Sequence, residues 1–209
     1  MYKAILWDND GILVHTEKWY YQATKDIMAQ SGFDLSIDIY HEMFLKNNSG
    51  AWHLIKNLNP CTIKHLKKQR NLLYSQYLKN KDIFLDEVPQ ILRKLQNQYK
   101  MGVVTSSRRE HFNIIHKNSN LLQYFDFVIA NDDFKNSKPD PEPYLMGIKK
   151  SGFKASECLS IEDSERGLNS AKNANLDCWV IPNEMTANGN FTNANRILNS
   201  INEIPVYLQ

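Results

Sequence analysis

The chain is predicted to fold in the α/β class, as a doubly wound parallel sheet with a Rossmann-like core and an all-helical segment inserted after the first strand. Two observations carry this. Short apolar runs bounded by polar residues recur at 2–7, 101–104, 127–130, 159–161 and 178–181, as in strands buried on both faces, and helical stretches separate the later runs. Residues 17–80 break that alternation, with helical patterning and no buried strand.

In chain order, the first strand runs into Asp8-Asn9-Asp10-Gly11, and the insert follows as helix-like stretches at 17–31, 37–45, 51–58 and 62–79. The sheet rhythm resumes near residue 81, with helices expected at 88–99, 110–117, 141–151 and 166–175. The expected division is a discontinuous core, 1–16 with 81–209, and a helical cap, 17–80, placed to act as a lid.

Composition narrows the function classes. With 209 residues, 42% of them hydrophobic, the chain can bury a sizeable core without staples. Twenty-five Lys and Arg against 23 Asp and Glu leave a charge of +2, too balanced for an electrostatic nucleic-acid binder. The basic stretch 64–70 therefore reads as the wet face of a helix. Cys61, Cys158 and Cys178 have no CxxC spacing, which suggests neither a disulfide framework nor zinc and points to a reducing compartment. The N-terminal apolar stretch is far shorter than a signal peptide's, and no 18-residue apolar run occurs. The expectation is a cytoplasmic monomer with no membrane partner.

In a doubly wound sheet the ligand crevice lies outside the carboxyl ends of the strands. There the chain places Asp8 and Asp10, then Thr105-Ser106-Ser107, then Glu162-Asp163-Ser164. Clustered carboxylates repel unless a cation compensates, and a hard ion such as Mg²⁺ takes oxygen ligands of this kind. Lys138, in Ser137-Lys138-Pro139-Asp140-Pro141, adds a fixed positive charge. Metal, Lys and hydroxyl together suit a phosphoryl group. Taken singly, the features have plainer readings: Asp, Asn and Gly favour turns, Ser and Thr cap helices, and acids favour a helix's first turn.

Four motifs in order, Asp8-Asn9-Asp10-Gly11, Val104-Thr105-Ser106-Ser107, Lys138-Pro139-Asp140-Pro141 and Ile161-Glu162-Asp163-Ser164, resemble those of the haloacid dehalogenase-like hydrolase superfamily. The insert resembles the cap of its small-molecule phosphatases and β-phosphoglucomutase. The resemblance implies that Asp8 attacks phosphorus and forms an aspartyl-phosphate. Asp10 would act as acid and then base, Thr105 would hydrogen-bond the phosphoryl oxygens, and Lys138 would span nucleophile and phosphate. Asp8, the Asp10 carbonyl, Glu162 and Asp163 would hold Mg²⁺. Gly11, Ser106 and Ser107 are the candidate substrate contacts in the core, with Tyr20 and Asn47 in the cap.

The substrate class implied is a small phosphorylated metabolite. Dehalogenating relatives lack the second Asp, so Asp10 favours phosphoryl transfer. Departures from the pattern are Ile12 where Thr is common and His15 where Asp is common. The mutase-type His and Arg positions hold Tyr20 and Gly50, which disfavours a sugar-phosphate mutase, the runner-up. A phospho-accepting signalling module, the third possibility, would carry its acceptor Asp further along and lack the insert.

Overall fold

The computed structural model describes residues 1–56 and 58–208. Its framework is one six-stranded sheet of order β3-β2-β1-β4-β5-β6, parallel throughout. The strands are β1 (Ala4–Trp7), β2 (Lys100–Val104), β3 (Phe127–Ile129), β4 (Cys158–Glu162), β5 (Asp177–Val180) and β6 (Arg196–Ile197). From β1 the chain winds outward to β2 and β3, then returns past β1 to lay down β4, β5 and β6. The strand order therefore reverses between β1 and β4, where a doubly wound sheet opens its crevice.

Alternation along each strand sorts the core onto two faces. Ile5 and Trp7 join Met101, Val103, Leu159 and Ile161 beneath α4 (Val88–Leu95), α5 (Arg109–His116) and α8 (Ile204–Tyr207). Ala4 and Leu6 join Val104, Ile129, Cys158 and Cys178 on the opposite face, under α6 (Glu142–Ser151) and α7 (Glu165–Asn173). All four β1 side chains are fully buried, and filling a site of this kind with a large aliphatic side chain contributes roughly 1.5–3 kcal/mol. Truncating one would loosen the strand that carries Asp8.

Between β1 and α4 lie α1 (Glu17–Ala29), α2 (Ile37–Tyr40), which continues as a π-helical turn over His41–Lys46, and α3 (Pro60–Asn80). Pro60 sits in the first turn of α3, and the Asn59 side chain caps it by accepting from the Thr62 N–H at 2.8 Å. The faces of α1 and α3 bury Ile27, Met28, Leu66 and Trp52 in one cluster and Ala23, Tyr74 and Leu78 in another. Among the described residues no helix is long and apolar enough to cross a membrane.

Some expected elements differ in extent. The stretch 51–58 forms only a single 3-10 turn, Trp52–Leu54; residue 57 lies outside the described residues. The first insert helix stops at Ala29, before Gly32, whose φ of 75° the helix cannot use. β3 is only half-buried at Phe127 and Val128, and β6 is a sixth strand that no apolar run announced, since Arg196 and Ile197 are both exposed. Arg70 corrects the reading of 64–70 as a wet face. Lys64, Lys67 and Lys68 are all exposed at the surface of α3, whereas Arg70 is buried.

Candidate active site

β1 ends at Trp7, and the Asp8 N–H donates to the Ile161 carbonyl of β4 at 2.9 Å, fixing Asp8 at the carboxyl edge beside the point of reversal. The Lys138 ammonium reaches into the same spot. Its Nζ donates to Asp8 Oδ1 at 2.8 Å, Glu162 Oε1 at 2.6 Å and the Val104 carbonyl at 2.9 Å, which uses its three protons. Tyr144 of α6 donates to the same Glu162 oxygen at 2.6 Å. Burial alone would lower the Lys138 pKa, but the Asp8 and Glu162 carboxylates outweigh it and hold the group above its ordinary value.

Donor atoms of Asp8, Glu162 and Asp163, all buried, lie within 4.8 Å of one another. Burial pushes the Asp8 carboxyl up to about 7; Lys138 opposes this, while Glu162 and Asp10 add to it. Burial, then the charges of Asp8 and Glu162, likewise raises Asp163 well above the carboxylate range. Three buried carboxylates thus face one ammonium. A hard divalent cation with oxygen ligands fits this donor set and would supply the missing positive charge.

Two glycines make room for the cluster. A Cβ on Gly11, whose φ is +89°, would stand 2.0 Å from Asp163 Oδ2, and one on Gly167 would stand 1.9 Å from Glu162 Oε2. Gly11 is therefore a space-maker under Asp163. Asp163 also has Asn183 beside it, whose Nδ2 donates to Oδ2 at 2.7 Å.

Asp10 sits among hydroxyls. Its Oδ2 accepts from Ser107 Oγ at 2.8 Å, Thr105 Oγ1 at 3.1 Å and Asn9 Nδ2 at 3.3 Å, while Oδ1 accepts from the Thr16 hydroxyl. Thr16 stands at the N-cap of α1 yet makes no side-chain cap bond; its hydroxyl is given to Asp10. Thr105 Oγ1 also accepts the Ser107 N–H at 3.0 Å, and Ser106 lies 3.3 Å from Ser137. Behind Asn9, His116 is held through Nε2 at 2.7 Å from Asn9 Oδ1 and Nδ1 at 2.9 Å from Ser119. Burial lowers the His116 pKa to about 4, so the ring is neutral near pH 7.

A cavity of about 260 Å³ opens above these groups. Asp8, Asp10, Ser106, Ser107, Lys138 and Asp163 line its floor; Thr105 and Glu162 stand just behind, bonded to Asp10 and Lys138. From the helical segment Tyr20, Tyr40, Tyr74, Glu17 and Arg70 form the opposite wall. Asn47 does not reach it: its amide donates to Glu42 at 2.8 Å, and the next residue, Asn48, lines the cavity instead, bonded to Arg166 of α7 at 2.9 Å. Glu17, half-buried and bonded to the Tyr40 hydroxyl, has its carboxyl raised by desolvation.

Sequence reading passed over Thr16, Glu17, Arg70, Tyr144, Arg166 and Asn183. Only Glu17 carried a signal, an acid opening a helix a few residues beyond the first motif.

Comparison with known proteins accords with this geometry. A family model described as haloacid dehalogenase-like hydrolase matches residues 5–181. The chain belongs to that family, and it is an enzyme of the phosphatase type. It is similar to the phosphorylated carbohydrates phosphatase of Thermotoga maritima, at 26% identity over 84% of this chain and 82% of that protein. It is also similar to the fructose-1-phosphate phosphatase YqaB of Escherichia coli, at 23% over 84% of this chain and 94% of that protein. The crystal structure of CbbY from Rhodobacter sphaeroides in complex with phosphate shares the fold, with a TM-score of 0.83 and 22% identity over 98% of this chain and 96% of that one.

Proposed function

We propose that the protein is a Mg²⁺-dependent phosphatase hydrolysing a small phosphorylated metabolite through an aspartyl-phosphate on Asp8. The observation that carries this is the pair Asp8–Lys138, an anionic oxygen held 2.8 Å from a buried ammonium at the point of strand reversal. Similarity to proteins named as sugar-phosphate phosphatases supports the substrate class.

In this account an Asp8 oxygen attacks phosphorus and the bond from phosphorus to the ester oxygen breaks. Asp10 gives a proton to the departing alkoxide. A water then attacks the aspartyl-phosphate, Asp10 takes its proton, and phosphate leaves with the Asp8 carboxylate restored. Lys138 orients the nucleophile and meets charge on the transferring oxygens, where preorganised donors count most.

In this account Thr105, Ser106 and Ser107 hydrogen-bond the phosphoryl group. To do so, Thr105 and Ser107 exchange Asp10 for substrate as acceptor, and this frees Asp10 to turn toward the leaving oxygen. Asp8, the Asp10 carbonyl, Glu162 and Asp163 would hold Mg²⁺, which when bound supplies positive charge against the phosphoryl dianion. Residues 17–80 act as a cap on the core of 1–16 and 81–209. Tyr20 and Asn48 face the substrate, Asn48 in the place expected of Asn47.

The test is phosphate release from a panel of sugar phosphates and other phosphate monoesters. Turnover in Mg²⁺ that disappears in excess EDTA and returns with added Mg²⁺ is expected. Full turnover after verified metal removal would overturn the metal requirement.

A further inference from the structure

The cap-side wall of the cavity holds a positive charge that the proposed chemistry does not use. Arg70 of α3 is 7% exposed, and its guanidinium lies 4.3 Å from the centre of the Tyr20 ring. Its hydrogen bonds go to neutral groups, Nε to Asn71 Oδ1 at 2.8 Å and Nη1 to Thr24 Oγ1 at 3.3 Å. Among the described residues no carboxylate pairs with it. A guanidinium is always charged, and burying a charge without a counter-ion is costly; stacking on Tyr20 offsets only part of that cost. Lys138, by contrast, is also buried but is held by two carboxylates. The acid of the same wall, Glu17, is bonded to Tyr40.

A second orphan stands beside this charge. His111 of α5 is 3% exposed, lines the same cavity, and packs edge-on against Tyr74 with ring centres 4.9 Å apart. Its Nε2 is buried and lacks a well-formed hydrogen bond, the Asn71 backbone giving the ring partial support. Buried polar atoms are rarely left so, and a bound ligand is one way to complete them. Asn71 and Arg108 line this part of the cavity and also an adjoining surface groove that carries Lys64, Lys67 and Lys68. The mouth on that side therefore presents a positive potential to incoming anions.

We propose that Arg70 and His111 form a second anion subsite, so that the substrate is a phosphate monoester carrying another acidic group. This rests on the phosphatase reading and adds the chemistry of the substrate's far end. The reacting phosphoryl group is bound by Lys138 and the strand ends on the cavity floor, so it leaves Arg70 on the opposite wall uncompensated. A second phosphate or a carboxylate pairs with the Arg70 fork. His111 Nε2 takes an anionic oxygen or an adjacent hydroxyl according to its tautomer.

Titration calorimetry on the whole chain with Mg²⁺ tests this using three ligands whose C–P bonds a phosphatase does not cleave: propylphosphonate, 3-phosphonopropanoate and propane-1,3-bisphosphonate. One or both doubly acidic ligands are expected to bind ~10- to 100-fold tighter than propylphosphonate, the span of a charge-assisted contact. The tighter of the two identifies carboxylate or phosphate as the second group. In Arg70→Gln that margin collapses, and in Arg70→Lys part of it returns, with circular dichroism checking the fold of each. Equal affinity of all three ligands for the wild-type chain, a result that needs no variant, would overturn the subsite. Hydrolysis of 3-(phosphonooxy)propanoate and of propane-1,3-diyl bisphosphate, the cleavable oxygen esters of the two doubly acidic ligands, is followed in parallel. Failure of both to release phosphate alongside a retained binding margin would count against the phosphatase reading and leave the subsite standing.

Discussion

His116 gives the structure a pH dependence that can be isolated and sized. Its ring is buried behind Asn9, and burial lowers its pKa from 6.5 to about 4. Between those values the unfolded chain binds a proton that the folded chain refuses, so stability rises with pH across the window and falls on acidification. At about 1.4 kcal/mol per pH unit, acidification from pH 7.5 to 5 removes about 2 kcal/mol through this group. Asp8 works with the opposite sign. Its pKa is raised to about 7, so metal-free folded protein binds the extra proton and gains stability as pH falls from about 7 toward the ordinary carboxylate range. A whole-protein curve mixes the two, and a difference separates them. His116→Gln keeps a donor for Asn9 Oδ1 and cannot titrate. Urea unfolding in EDTA, with wild type and variant at each pH, should show the wild-type advantage shrinking by about 2 kcal/mol between pH 7.5 and 5. A difference that stays flat with pH would refute the reasoning that the buried ring is kept neutral.

The tight fit at Gly167 and the environment of Asp10 give two more tests. Gly167→Ala places a methyl 1.9 Å from where Glu162 Oε2 now stands, so Glu162 must shift and Lys138 loses a 2.6 Å partner. Phosphatase kcat/KM should fall by ~10²-fold or more, since ångström-scale misplacement at a reacting centre carries effects of that size, and steady-state kinetics on the folded variant checks it. Asp10→Asn removes the proposed proton donor, a contribution of ~10²- to 10⁴-fold in general acid catalysis. Single-turnover formation of the phosphoenzyme should slow more for alkyl phosphates than for p-nitrophenyl phosphate, whose leaving group needs little protonation; equal slowing would assign Asp10 a positional role.

What was legible in the sequence was the sheet edge. Asp8, Thr105 and Glu162 each end or follow a short apolar run, and a parallel sheet brings the carboxyl ends of its strands to one side, so local pattern and topology together predict that these side chains meet. The runs at 101–104 and 159–161 needed no tertiary information because both faces of those strands are buried. β6 gave no pattern, because its two residues pair at an exposed edge. The groups that complete the site were illegible for a different reason. Tyr144 reaches Glu162 from a helix, Asn183 reaches Asp163 from beyond β5, and Arg70 turns inward from a helix whose neighbouring lysines face outward; each depends on packing between distant segments. Thr16 looked like an ordinary helix cap and serves Asp10 instead. Asn47 and Asn48 differ by one position, and only the backbone after the π-helical turn, with Asn48 at φ 51°, decides which of them faces the cavity.

The central claim is that Asp8 carries the phosphoryl group, and rapid acid quench during turnover, followed by mass spectrometry of the intact chain and its peptides, tests it most directly. The account predicts a transient phosphoryl adduct on the peptide that contains Asp8, formed before phosphate appears in solution and absent in Asp8→Asn. A burst of free phosphate with no adduct at any quench time, or an adduct that survives in Asp8→Asn, would contradict it.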